Sequence, residues 1–392
     1  MIKFSYRFKK SFMSKFMKEF FVSKIMEKAE EVRLNCYIND HINHKKLSIV
    51  LNEIYLRRLI YCKPKNFNVM CIDLFDKLPI IADYYHPSYI FKNALIDDSI
   101  LSLRGKKAAD AFDTSRINLM VELKRIEVTY YSYRSLCLYK RVADPNLTLN
   151  IFKNILRKVI RLQSVSIRLS DEESLTYPSW VRMFAQIFNY DELSNRYGYE
   201  IVKASGLEVC PYCNAEEIRT IQGAKSHRPD IDHFLPKAKY PFFAASIYNF
   251  VPAGGACNRS FKRDVDLMQG YIHPLVEGVE RSQLFKFDYN DVIRKLVVDI
   301  NEIPRFGLNA SLFQLSEVYK HNFYCKRYSS IRRQYEKLLE ICADGDISKK
   351  KDLMETFFHV SESPRLKVNK KFEEEALQHI KQKLEPLTHR PA

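Results

Sequence analysis

The chain has 392 residues, of which 46% are hydrophobic and 28% charged, a balance typical of a folded globular protein and not of a disordered one. Its formal net charge of +16 favours a polyanionic partner, nucleic acid before a membrane surface. Nine scattered cysteines without a signal peptide argue against a disulfide framework and predict a cytoplasmic protein, and no apolar run approaches the roughly 18 residues of a membrane span.

The first predicted element is an amphipathic helix at the start of the chain. Its apolar stripe recurs every fourth residue with lysines between, at Phe4, Phe8, Phe12, Phe16 and Phe20. We expect this helix to dock on its own domain or on a partner subunit. Helical spacing continues to about residue 200, broken by prolines and including a capping box at "SDEE". Residues 1–200 are therefore predicted to form a helical region for scaffolding, recognition or partner binding.

The pattern changes after Cys210. The stretches 216–223 and 228–234 are short and rich in β-forming residues, with turn residues between them, and they predict a hairpin. A long connection follows, and "CNRSFKRDVDLM" then opens a helix. We predict an α+β protein, mostly helical, with a small β-hairpin plus helix (ββα) module at 201–275 and a mainly helical region at 276–392.

Three polar residues of this module suit the hydrolysis of a phosphodiester. His233 can act as the base, because an ordinary histidine pKa of about 6.5 leaves a neutral imidazole at pH 7. Asp232 and Asn258 offer the oxygen ligands that Mg²⁺ or Mn²⁺ prefers. Adjacent strand residues face opposite sides, so Asp232 and His233 can serve one site only if the strand ends or bends there. Lys262 follows Asn258 by one turn, ready for a phosphate, and Asn249 can pin the connecting loop.

The order "CPYCN … IDHFLPKAKYP … YNFVP … CNRSFKRD" resembles the HNH endonucleases, in particular the subgroup with a CxYC knuckle, a DH pair, a central Asn and a terminal CN. The resemblance implies a ββα-metal module in which Asp232 and Asn258 bind the metal. It also implies that His233 activates water, and that Asn249 orders the loop and positions the histidine. Weaker likeness in "YIHPLVEG", "LFKFDY" and "FQLSEVYKHNF" extends to HNH proteins of bacterial anti-phage defence loci.

The expected function is that of a metal-dependent HNH endonuclease acting on DNA, as the nuclease effector of an anti-phage (antiviral) defence system. Lys262, Lys237 and Arg259 are the expected DNA contacts. The resemblance suggests an ATPase or sensor protein of the same locus as a partner. The alternative is a non-catalytic nucleic-acid-binding or adaptor protein with a decayed HNH module, and the retained catalytic residue types argue against it.

The cysteines of the module depart from the family pattern. A structural zinc takes four ligands in a tetrahedron, and Cys210, Cys213 and Cys257 supply three. In the family pattern a second CxxC would put a cysteine at position 254, where this chain has Gly254. Two accounts stay open at this point. Either a distant residue such as His227 completes a zinc site, or the zinc has been lost and packing holds the knuckle.

Overall fold

The computed structural model describes residues 1–164, 167, 169–290, 295–342 and 347–388. Helices dominate, and two small antiparallel sheets of two strands each accompany them, which confirms the expected α+β class. The chain forms two compact units, whose limits differ from the predicted boundaries at 200 and 275. The first unit comprises Met1–Phe12, Leu193–Phe234 and Phe250–Ala392, and the second comprises Met13–Glu192 and Leu235–Asn249. In the described part of the chain, no helix has both the length and the apolar character that crossing a membrane requires.

The second unit is almost entirely helical. Its α-helices, the first of which begins within the first unit, are Lys10–Phe16, Glu27–Asn39, His41–Val50, Glu53–Ile60, Phe67–Lys77, Pro79–Tyr85, Pro87–Phe91, Gly105–Asp110, Phe112–Tyr130, Tyr133–Ala143, Leu149–Ser164, Asp171–Leu175 and Ser179–Met183. A π-helical stretch joins the first two, and large aromatic side chains such as Trp180 and Phe152 fill the core. The predicted capping box is confirmed, because Ser170 and Glu173 exchange side-chain and backbone hydrogen bonds.

The start of the chain is not helical, and this part of the predicted amphipathic helix is wrong. The helix begins at Lys10. Before it, backbone amides bond to other segments of the first unit: Ile2 N to Pro211 O at 2.7 Å and Phe4 N to Pro274 O at 3.0 Å. These long-range bonds satisfy donors that a helix would have used internally, and they carry Phe4 into the core of the first unit.

The first unit contains both sheets. Strands β1 (Asp230–His233) and β2 (Phe250–Ala253) pair antiparallel, as do β3 (Phe285–Asn290) and β4 (Lys295–Ile300). Its helices are Tyr190–Ser205, which begins in the second unit, the π-helix Ala256–Lys262, and Gly307–Leu312, Leu315–Tyr319, Asn322–Ile341, Ile347–Phe358 and Lys370–Thr388. The β3–β4 hairpin lies in the region that was predicted as mainly helical.

The pairing of the predicted hairpin is wrong. β1 pairs with β2, with His233 opposite Phe250, and not with the stretch 216–223. That stretch makes only isolated bridges at Glu217 and Ile221. All four residues of β2 are buried, whereas 216–223 is largely exposed. Burial of apolar surface therefore outweighs the local turn signal that favoured the nearer partner.

The CPYCN segment is packed by the later part of the first unit. The ring of Tyr212 stacks on Phe313 with centroids 4.2 Å apart, and the hydroxyl of Tyr319 donates to the carbonyl of Cys213 at 2.7 Å. Asn214 has a positive φ of 58°, and its side-chain amide donates to the carbonyl of Pro364 at 2.7 Å. These contacts pack the knuckle against the later part of the first unit.

Candidate active site and cysteine cluster

The candidate active site is built on β1 and the short helix Ala256–Lys262. β1 ends at His233, which is the condition for Asp232 and His233 to serve one site. Asp230 and Asp232 are two residues apart and so lie on one side of the strand. Both carboxylates contact residues of the helix, and their surroundings differ sharply.

Asp232 is buried, with 3% of its side chain exposed, and both of its oxygens are bonded. The hydroxyl of Tyr212 donates to Oδ2 at 2.7 Å, and the ammonium of Lys262 lies 2.9 Å from Oδ1. Burial raises the pKa of Asp232, and the charge of Lys262 and the bond from Tyr212 offset that rise only in part. The carboxylate is thus held in one position, away from solvent.

Asp230 also belongs to the site, although it was not among the predicted site residues. Asn258 Nδ2 donates to its Oδ2 at 3.1 Å, and Arg259 donates to both of its oxygens at 2.6 and 2.7 Å. The hydrogen bonds from Arg259, followed by the one from Asn258, lower the pKa of Asp230. Its side chain remains 22% exposed. The alternation in "DIDH" was the available signal, because residues i and i+2 of a strand share a side.

His233 closes β1 with a half-buried ring. The imidazole meets the ring of Phe250, its partner on β2, edge-on with centroids 5.3 Å apart. The carbonyl of His233 accepts a hydrogen bond from Lys262 Nζ at 2.6 Å. The same lysine therefore holds the backbone of His233 and the carboxylate of Asp232.

Asn249 belongs to the second unit and is fully buried. Its Oδ1 accepts from the amide of Leu235 at 2.8 Å, and its Nδ2 donates to the carbonyls of Leu235 at 3.0 Å and Phe243 at 3.1 Å. These bonds join the two ends of the segment 235–249, as a loop-ordering residue would. A role in positioning His233 stays a prediction.

The three residues expected at DNA differ in accessibility. Lys262 is 1% exposed, and its ammonium faces inward because the buried carboxylate of Asp232 requires a counter-charge. This burial contradicts the prediction that Lys262 contacts DNA. Arg259 is 75% exposed. Lys237, in the second unit, is 52% exposed and lies 3.6 Å from Asp191. For Arg259 and Lys237, contact with DNA stays a prediction.

Cys210, Cys213 and Cys257 form a buried cluster whose sulfur atoms all lie within 4.8 Å of one another. Thiolates around one tetrahedral zinc stand about 3.8 Å apart, given a Zn–S distance of about 2.3 Å, so the cluster has dimensions that fit one ion. Burial raises the pKa of Cys210, but hydrogen bonds from Cys213 and Cys257 outweigh it and bring that pKa well below its usual value. The hydrogen bonds with Cys210 in turn raise the pKa values of Cys213 and Cys257.

His227 does not complete this cluster, and that suggestion is wrong. Its side chain is exposed, and its backbone pairs with Ile221 in an isolated bridge. Among the described residues, the cluster of metal-binding side chains contains only the three cysteines.

Comparisons with known proteins add little to this geometry. No family model matches the chain, and no solved structure matches it. The chain is 34% identical over 82 residues to Protein ea31 of Escherichia phage lambda. That match covers 20% of this chain and 25% of the phage protein, so the chain spans about a quarter of the length of the relative it matches.

Proposed function

We propose that the protein is a metal-dependent endonuclease of the HNH type that hydrolyses phosphodiester bonds in DNA. The observation that carries the proposal is the contact between β1, which ends in Asp232 and His233, and the helix Ala256–Lys262, which carries Asn258. Strand, strand and helix follow one another in the order that the resemblance implies. The net charge of +16 supports a polyanionic substrate.

In this proposal His233 is the general base. Its partly exposed ring at the end of β1 takes the proton of the attacking water. A bound Mg²⁺ or Mn²⁺ would neutralise charge on the phosphate and the leaving oxygen. The resemblance implies that Asp232 and Asn258 are the ligands of this metal ion. Asp230 is the more accessible carboxylate, because its side chain is 22% exposed against 3% for Asp232, and Asn258 already contacts it.

Cleavage of supercoiled plasmid tests the proposal. Purified protein is expected to nick or linearise the plasmid with Mg²⁺ or Mn²⁺ and to stop in excess EDTA, since the metal supplies the charge neutralisation. Asn66→Ala is a matched control for Asn258→Ala, because Asn66 is exposed and precedes the helix Phe67–Lys77 without a side-chain capping bond. Undiminished cleavage in EDTA would exclude metal dependence.

Substitution of the oxygen donors identifies the ligands. Asn258→Ala is expected to raise the Mg²⁺ concentration for half-maximal rate by at least about tenfold, because Mg²⁺ held by few protein oxygens tolerates a missing ligand poorly. If Asp230 is the carboxylate ligand, Asp230→Asn is expected to raise the required Mg²⁺ concentration in the same way. If Asp232 is the ligand, Asp232→Asn is expected to raise it instead. The metal dependence of the rate, measured for both aspartate variants, separates the two. An unchanged metal requirement in all three variants would remove these residues from the metal site.

A second candidate function is a non-catalytic nucleic-acid-binding or adaptor protein. The observation in its favour is that Tyr212 and Lys262 occupy both oxygens of Asp232. In that case the ion pair serves only to stabilise the module. DNA binding in a gel-shift assay, without cleavage in either metal, would favour this candidate over the nuclease.

We further propose that the nuclease acts in bacterial anti-phage defence beside an ATPase or sensor protein of the same locus. This proposal rests on the resemblance of the segments that follow the module. Co-expression with the neighbouring genes tests it. Wild-type protein is expected to lower phage plating, and His233→Ala is expected to lose that protection while still co-purifying with the partner.

A further inference from the structure

The spacing of the cysteine cluster leaves one position without a donor. Cys210 and Cys213 are three residues apart, and the residue three before Cys257 is Gly254, which has no side chain. A closed structural zinc site takes four ligands in a tetrahedron. A fourth donor must therefore come from another part of the chain.

The carboxylate of Glu216 occupies the side-chain space of position 254. A Cβ atom placed on Gly254 would overlap with Oε2 and Cδ of Glu216 and would lie 2.8 Å from Oε1. The backbone amide of Gly255 donates to Oε1 at 2.8 Å. The amide of Cys210 donates to the backbone carbonyl of Glu216 at 2.9 Å. Glu216 is thus attached to the CPYC segment by its backbone and to the residues before Cys257 by its side chain.

We propose that Glu216 supplies the fourth ligand of a zinc ion whose other ligands are the thiolates of Cys210, Cys213 and Cys257. Carboxylate oxygen binds zinc at about 2.0–2.2 Å, beside thiolate at about 2.3 Å. Three thiolates and one carboxylate carry the same charge as four thiolates. The absence of a side chain at Gly254 leaves the space in which the carboxylate of Glu216 lies.

Binding requires a movement of the Glu216 side chain. Its oxygens are not among the donor atoms that lie within 4.8 Å of one another, so the half-buried side chain must turn about its own bonds toward the three sulfurs. In the competing role, Glu216 only accepts hydrogen bonds from the backbone amides of Gly255 and Ala256, and removal of its carboxylate would leave zinc affinity unchanged. The proposal concerns a structural ion and does not depend on nuclease activity.

Zinc content and zinc affinity of the full-length chain test this role. Protein from zinc-supplemented culture is expected to carry about one zinc per chain by mass spectrometry after dialysis. In competition with a chromophoric chelator, Glu216→Gln is expected to weaken zinc binding by at least about tenfold, since even outer-shell partners are worth about 10–100-fold. Glu217→Gln is the matched control, because Glu217 is the adjacent, exposed glutamate.

A second variant tests coordination directly and remains decisive if Glu216→Gln does not fold. X-ray absorption at the zinc edge is expected to give three sulfurs and one oxygen for wild type. Glu216→His is expected to replace that oxygen with an imidazole nitrogen. Wild-type protein without zinc, equal affinities of the two glutamine variants, or a histidine variant without an imidazole signal would each overturn the proposal.

Discussion

Replacing His233 with alanine is expected to slow DNA cleavage by about 10²–10⁴-fold, the usual contribution of a general base. DNA affinity is expected to stay nearly unchanged, because most of it comes from contacts between basic side chains and phosphates. Single-turnover cleavage at saturating Mg²⁺ and a gel-shift titration measure the two quantities separately. The side chain is half-buried at the end of β1, so the substitution removes no fully buried group.

The control for this variant is His227→Ala. His227 is exposed, and only its backbone takes part in an isolated bridge, so its rate is expected to equal that of wild type. If His233→Ala cleaves as fast as His227→Ala, His233 is not the base. A parallel loss of cleavage and DNA binding would point to a folding or binding defect instead of a chemical one.

Lys262→Met is expected to lower the free energy of unfolding by about 3–5 kcal/mol, because it leaves the carboxylate of Asp232 buried and unpaired. The loss is expected to shrink as the pH falls. Burial already raises the pKa of Asp232, and without Lys262 the folded state takes up a proton at a higher pH than the unfolded state does. Urea denaturation at several pH values measures both effects.

Arg259→Met is the matched control on the same helix. Its partner Asp230 is partly exposed, and such pairs contribute about 0–1 kcal/mol. Equal losses for the two methionine variants would contradict the assignment of Asp232 and Lys262 as a buried pair. Addition of Mg²⁺ to Lys262→Met tests Asp232 as a metal ligand, since it restores stability only if Asp232 can bind the ion.

Features that follow from local patterns and from motif spacing were predictable from the sequence. The CxxC spacing and the later Cys257 predicted the cysteine cluster, and the three sulfurs do meet. The end of the strand at His233 was also predictable, because Pro236 follows three residues later and cannot donate a hydrogen bond to a neighbouring strand. The capping box at Ser170 was likewise predictable, because both of its partners lie within one helical turn.

Features that depend on burial were decided only by the tertiary structure. The sequence by itself determined which residue types lie near the site, since spacing along the chain limits local geometry. It did not determine that Lys262 faces inward to Asp232, that Asn258 contacts Asp230, or that Glu216 fills the space beside Gly254. Each of these contacts joins residues far apart in the chain. Such contacts form because a carboxylate that is removed from solvent requires a hydrogen-bond or charge partner. Local spacing does not show which residue becomes that partner.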